Sequence, residues 1–79
     1  DDIAKIKNVI TEFLGGNKLI SLKHLRTRHS GIKKNIELTI IANKDMSLLE
    51  GHDYCNKIEH RLDEVLGNTD VTIHLEPNA

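Results

Sequence analysis

The chain has 79 residues, enough for one small domain with little stability in reserve. Its formal net charge of −1 and its single Phe and single Tyr argue against a nucleic-acid-binding protein or one that binds anionic membranes. The longest apolar runs fall far short of the roughly 18 residues needed to cross a bilayer, and the lone Cys55 excludes an internal disulfide, which fits a reducing compartment.

The first segment is predicted to be an amphipathic helix. Asp1 and Asp2 suit its N-terminus, and the pair Gly15-Gly16 suits a C-terminal stop. Apolar residues recur at three- and four-residue steps and form one stripe: Ile3, Ile6, Ile10, Phe13 and Leu14.

The next segment is predicted to be a β-hairpin that turns near Ser30-Gly31. Its second strand alternates clearly. One face carries Ile36, Leu38, Ile40 and Ala42, and the other carries Glu37, Thr39 and Ile41.

A second helix follows, and its start is marked by the capping-box pattern of Ser47 and Glu50. Gly67 is predicted to end it. The inward stripe is Gly51, Cys55, Ile58, Leu62, Val65 and Leu66.

The last strand is predicted from about Thr69 to Leu75. Because side chains alternate along a strand, Val71, Ile73 and Leu75 point one way, while Thr72, His74 and Glu76 point the other.

The element order αββαβ predicts an α+β fold: a two-layer sandwich with a three-stranded mixed sheet and two helices on one face. Residues 1–79 form a single domain, and the chain is interpreted as a piece of a longer protein, since it opens at a helix without an initiator Met. The other sheet face is uncovered and carries Ile41, and we expect further apolar residues from the hairpin there. Such a face usually meets a partner.

His74 and Glu76 share that uncovered face, and imidazole and carboxylate are ligands suited to Zn²⁺ and related divalent metals. His52, in the first turn of the second helix, is the best third candidate. A solvated strand face is the alternative interpretation of the H-x-E pair, and His29 and His60 are interpreted as turn and helix surface.

An enzyme is not predicted. The sequence has no Gly-rich phosphate loop, no nucleophile elbow and no His with a placed Ser or Cys partner. Cys55 falls on the inward stripe, where a thiol is a poor nucleophile.

Three segments taken together resemble the cytoplasmic C-terminal domain of cation diffusion facilitator transporters: "LKHLRTRHSG", "LLEGHDYCNKIEHRL" and "DVTIHLEP". The resemblance covers nearly the whole chain. It implies a ferredoxin-like, metallochaperone-like αββαβ domain that follows a six-helix membrane part, forms a homodimer in the cytoplasm and binds metal near the dimer interface. Metal there is expected to draw the two domains together and favour efflux of Zn²⁺ or a related divalent metal.

The resemblance assigns ligand roles residue by residue. His52, His74 and Glu76 match ligand positions of the family, with Glu76 where many members have Asp. Lys23 and Thr39 stand where the family often has ligand histidines, so one metal per subunit is expected rather than two. His24 is offset by one residue from the first of these positions, and it can substitute only if the strand register shifts.

Three functions remain open at this point. The first is a regulatory, dimerising metal-sensor domain of a divalent-cation efflux transporter. The second is a purely structural dimerisation domain of such a transporter with a vestigial metal site. The third is a free-standing metal or small-ligand regulator of the same fold.

Overall fold

The computed structural model describes residues 2–16 and 18–78, so Asp1, predicted at the helix start, lies outside the described residues. The elements follow the predicted order: α1 (Asp2–Phe13), β1 (Leu19–Ser30), β2 (Lys33–Ala42), α2 (Leu48–Leu66) and β3 (Thr69–Pro77). Neither helix is long and apolar enough to cross a membrane.

The three strands form one mixed sheet in the order β1-β2-β3. The hairpin pairs β1 with β2 antiparallel, and α2 carries the chain over to β3, which pairs with β2 in parallel. The middle strand β2 is therefore flanked on both sides, and β1 and β3 are the edges. This confirms the predicted α+β fold with a three-stranded mixed sheet.

The core lies between the sheet and the two helices. All four residues predicted for the inner face of β2 are buried, and both helices contribute to the same cluster. A single buried cluster fed by both helices means that both cover one face of the sheet, as predicted. The buried apolar residues are Ile6, Val9, Ile10, Leu19, Ile36, Leu38, Ile40, Ala42, Ile58 and Leu62.

Two details differ from the sequence-based expectation. Ile3 is 46% exposed, because it lies in the first turn of α1 at the margin of the sheet, and Val9 is buried instead. The last strand continues to Pro77 rather than ending near Leu75. Proline is tolerated there because β3 is an edge strand, and the next residue, Asn78, donates its N–H to the Ala42 carbonyl at 2.8 Å.

The uncovered face is mostly polar, and the exposed apolar residue that β1 adds to the hairpin surface is Ile20, 43% exposed in the bulge between Leu19 and Ser21. Across from Ile41 and its neighbours, β1 presents polar side chains, because Leu22 and Leu25 are opposite Ile40 and Leu38 and pack toward the helices. By their pairing with β2, the residues of β1 on this open face are Ser21, His24, Arg26 and Arg28.

Candidate metal site at the end of the last strand

Strand β3 presents His74 and Glu76 on the open face, as predicted from the two-residue period. His74 is opposite Thr39, and Glu76 is opposite Ile41. The His74 side chain is 57% exposed, and its Nε2 lies 3.5 Å from Oε2 of Glu37 on the neighbouring strand. An accessible imidazole beside a carboxylate has the chemistry of a metal ligand with an orienting partner.

The Glu76 carboxylate has a partner from the far edge of the sheet. Lys23 Nζ donates a hydrogen bond to Glu76 Oε1 at 2.8 Å. This ammonium group holds the pKa of Glu76 below its ordinary value, with smaller contributions from His24 and His74. The carboxylate therefore stays ionised in mild acid, which is the form that binds a metal ion.

Two irregularities in β1 decide where His24 lies. The pairing with β2 skips one residue between Leu19 and Ser21 and another between Leu22 and His24. The second skip is a β-bulge at Lys23, and it moves His24 to the position opposite Thr39. The register shift that His24 needs is thus present.

His24 and His74 consequently flank Thr39 on the open face, one on each side of the middle strand. They line a shallow cavity of about 450 Å³ together with Arg26, Glu37 and Thr39. A regular two-residue period along β1 does not place His24 beside His74. The spacing of Leu19, Leu22 and Leu25 is the signal that was available, because three-residue steps cannot keep side chains on one face of a regular strand.

His52 lies in the first turn of α2 and is exposed. It lines a cavity of about 360 Å³ between that turn and the end of β3, and Glu76 lines the same cavity. Met46 and Cys55 are also part of its wall. Burial raises the pKa of the Cys55 thiol, with a smaller contribution from Glu59, so it stays protonated and unreactive.

A complete capping box holds this turn of α2 in place. Ser47 Oγ accepts the Glu50 N–H at 3.0 Å, and Glu50 Oε1 accepts the Ser47 N–H at 3.0 Å. The second carboxylate oxygen of Glu50 lies 2.7 Å from Lys18 Nζ. Lys18 and the Ser47 N–H together lower the pKa of Glu50 to about 2.

Close packing brings the same turn against β3. A Cβ atom added to Gly51 would lie 3.0 Å from Leu75 Cδ1 and 3.4 Å from Met46 Sδ. The absence of a side chain at residue 51 therefore lets the helix approach the strand that carries His74 and Glu76. His52, the next residue, is positioned by this contact.

The three predicted ligands are brought together only in pairs. Glu76 shares the open face with His74 and the α2 cavity with His52. Over residues 2–16 and 18–78, no group of three or more His, Cys, Asp or Glu side chains is placed to hold a metal ion. The ligand set His52, His74 and Glu76 therefore remains a prediction.

The two histidines interpreted as surface residues are exposed, although His29 lies on β1, paired with Lys34, rather than in the turn. His60 is exposed on α2. Asp53 pairs with Lys57 one turn later at 3.0 Å, and His29 Nε2 lies 3.9 Å from Asp2 Oδ2.

Comparison with known proteins identifies the family. The model of the cation efflux protein cytoplasmic domain matches residues 1–78. The chain belongs to this family. Among its relatives, the manganese efflux system protein MneS of Bacillus subtilis is 28% identical over 76 residues, or 96% of the chain. The cation-efflux pump FieF of Yersinia pestis is 32% identical over 77 residues. The chain spans about a quarter of the length of each relative, 25% in both cases.

Solved structures of the family share the fold. The metal-bound C-terminal domain of the CzcD transporter from Thermotoga maritima superposes with a TM-score of 0.87 at 29% identity, covering 98% of this chain and 87% of that one. The Zn form of CzrB superposes with a TM-score of 0.87 at 25% identity, covering 98% and 85%. These similarities agree with the family assignment made from the sequence.

Proposed function

We propose that this cation efflux domain is the regulatory part of a divalent-cation efflux transporter, which dimerises and binds metal to favour transport. A membrane part is proposed to lie in a portion of the full protein that corresponds to the rest of the relatives' length, of which this chain spans 25%. The cargo is proposed to be a divalent transition metal, with Zn²⁺ the best fit to the ligands of the cytoplasmic domain.

The position of Glu76 is the observation that carries the proposal. Glu76 is on the open face, where His74 is exposed, and it also lines the α2 cavity, where His52 is exposed. One ion at Glu76 is proposed to use this carboxylate and two imidazoles drawn from two subunits, a ligand set that suits Zn²⁺ and leaves a fourth position for water. Two nitrogen ligands favour Zn²⁺, Co²⁺ or Ni²⁺ over Mn²⁺, which prefers oxygen.

The dimer is proposed to complete the site. Because a two-fold interface presents every residue twice, His52 of one protomer can join His74 and Glu76 of its partner. Leu48, one turn before His52, lines the same cavity and is 93% exposed, and Leu49 is 79% exposed. Adjacent exposed leucines beside the ligands are suited to an apolar contact between subunits.

A structural dimerisation domain with a vestigial metal site is the second candidate. The Lys23–Glu76 pair favours it, because an ammonium group already neutralises the carboxylate. A free-standing regulator has less support, since the family model that matches the chain describes the cytoplasmic domain of a cation efflux protein.

Calorimetric titration with Zn²⁺, Co²⁺ and Mn²⁺ tests the site. We expect one Zn²⁺ per subunit for the wild-type chain and loss of most of the affinity in His74→Ala. His60→Ala is the matched control, since it removes an exposed imidazole from the middle of α2. If His74→Ala and wild type bind Zn²⁺ equally, the site is elsewhere and the structural candidate is preferred.

Mixing two defective variants tests whether His52 comes from the partner. A heterodimer of His52→Ala and His74→Ala has one intact site if the ligands join across the interface, and none if they lie in one subunit. An equimolar mixture should then recover about a quarter of the wild-type strong sites. No recovery would assign all three ligands to a single subunit.

Sedimentation tests the assembly. We expect a symmetric homodimer at high protein concentration and a shift toward dimer on adding Zn²⁺, because an ion bound between subunits stabilises the dimer by mass action. A monomer up to millimolar concentration, with or without metal, would refute the dimer.

A further inference from the structure

Lys23 occupies an unusual position in the sheet. It is the extra residue of the β-bulge between Leu22 and His24, so it has no pairing partner on β2. A bulge re-aims the side chain at its position. The Lys23 side chain is 46% exposed, and its ammonium group is engaged at the opposite edge of the sheet.

The Lys23–Glu76 contact spans the full width of the sheet. β1 and β3 are the edge strands, and β2 lies between them. Neighbouring strands are about 4.8 Å apart, so the two backbones are separated by roughly 10 Å. Since Glu76 is on the open face, the two side chains meet over β2 on that face, with Nζ and Oε1 2.8 Å apart.

The contact places a positive charge where a metal ion would be bound. Only one Glu76 oxygen accepts from Lys23. Another acid on this face, Glu37, lies beside His74. A divalent ion at Glu76 must therefore either displace the ammonium group or remain close to it, and both weaken binding.

We propose that Lys23 is a built-in counter-ion of Glu76 that competes with the metal ion and sets the affinity of the site. The inference rests on the proposed function, because it concerns the same carboxylate. Metal binding then exchanges one cation for another at Glu76. Because the metal ion must displace Lys23, the site is occupied only at high metal concentration.

Zn²⁺ titration of Lys23→Leu tests the competition, because leucine offers no charge and no metal ligand. We expect about fivefold tighter binding, the factor that corresponds to the upper range for an exposed ion pair. Lys23→Arg retains the charge and should bind like wild type. Lys33→Ala is the matched control, since it removes a lysine at the hairpin end of β2, far from Glu76.

A salt series separates competition from a general charge effect. Binding to Lys23→Leu should weaken more steeply with ionic strength than binding to wild type, because wild-type binding also breaks an ion pair that salt screens. Equal affinity of Lys23→Leu and wild type, with loss in His74→Ala, would overturn the competition and leave the proposed function standing. If Lys33→Ala bound Zn²⁺ as much more tightly than wild type as Lys23→Leu does, the competition would also be overturned. If neither wild type nor any variant bound Zn²⁺, both the competition and the proposed function would be overturned.

Discussion

Replacing Ser47 with Ala should destabilise the domain at the turn that carries His52. Ser47 Oγ is the acceptor for the Glu50 N–H, and the reciprocal bond runs from the Ser47 N–H to Glu50 Oε1. The substitution removes the first bond, because alanine has no hydroxyl. The second bond can still form, because its donor is the backbone N–H of residue 47, but half of the capping box is lost. Ser47 is exposed, so water replaces part of the loss.

The expected loss is about 1 kcal/mol, the usual cost of removing an N-cap hydroxyl. In a chain of 79 residues, this corresponds to a fall in melting temperature of about 4–8 °C. The α2 turn also positions His52, so Zn²⁺ affinity should fall modestly along with stability.

Thermal unfolding followed by circular dichroism measures the effect. Ser47→Asp keeps an oxygen acceptor at the cap and should melt near wild type, while Ser21→Ala removes a serine hydroxyl from an exposed strand position and should change little. An unchanged melting curve for Ser47→Ala would show that the capping box does not limit stability. A loss in Ser47→Asp equal to that in Ser47→Ala would show that the lost acceptor is not the cause.

Three further outcomes are expected. Lys18 and the Ser47 N–H lower the pKa of Glu50 from 4.5 to about 2, so its contribution to stability is present above about pH 4.5 and is lost as the pH falls toward 2. In Glu50→Gln, the free energy of unfolding measured by chemical denaturation should depend less on pH across that window than in wild type. The difference between the two proteins should be smaller in high salt. Gly51→Leu should cost about 1–3 kcal/mol in the same assay, because the new side chain meets Leu75; equal stability would show that α2 can shift freely. Zn²⁺ affinity should fall in acid, because protonated imidazole cannot bind a metal; a titration that gives the same affinity at pH 7.5 and pH 5 would exclude histidine ligands.

Local chemistry determined most of the fold. The two-residue alternation of β2 assigned its buried face correctly, because one face of a strand must be apolar when one side of the sheet is covered. The capping box at Ser47 and Gly67 at the opposite end set the ends of α2, since both act through contacts within one or two turns. The same period put His74 and Glu76 on one face.

The tertiary structure alone decided what surrounds these two side chains. The bulge at Lys23 keeps Leu22 and Leu25 on the core side and, as a consequence, turns His24 to the open face. The partnership of Lys23 with Glu76 joins residues 53 positions apart on strands that are not neighbours. Neither follows from a period along the chain, because a bulge is fixed by the packing of the leucines against the helices and a cross-sheet pair by the final strand order.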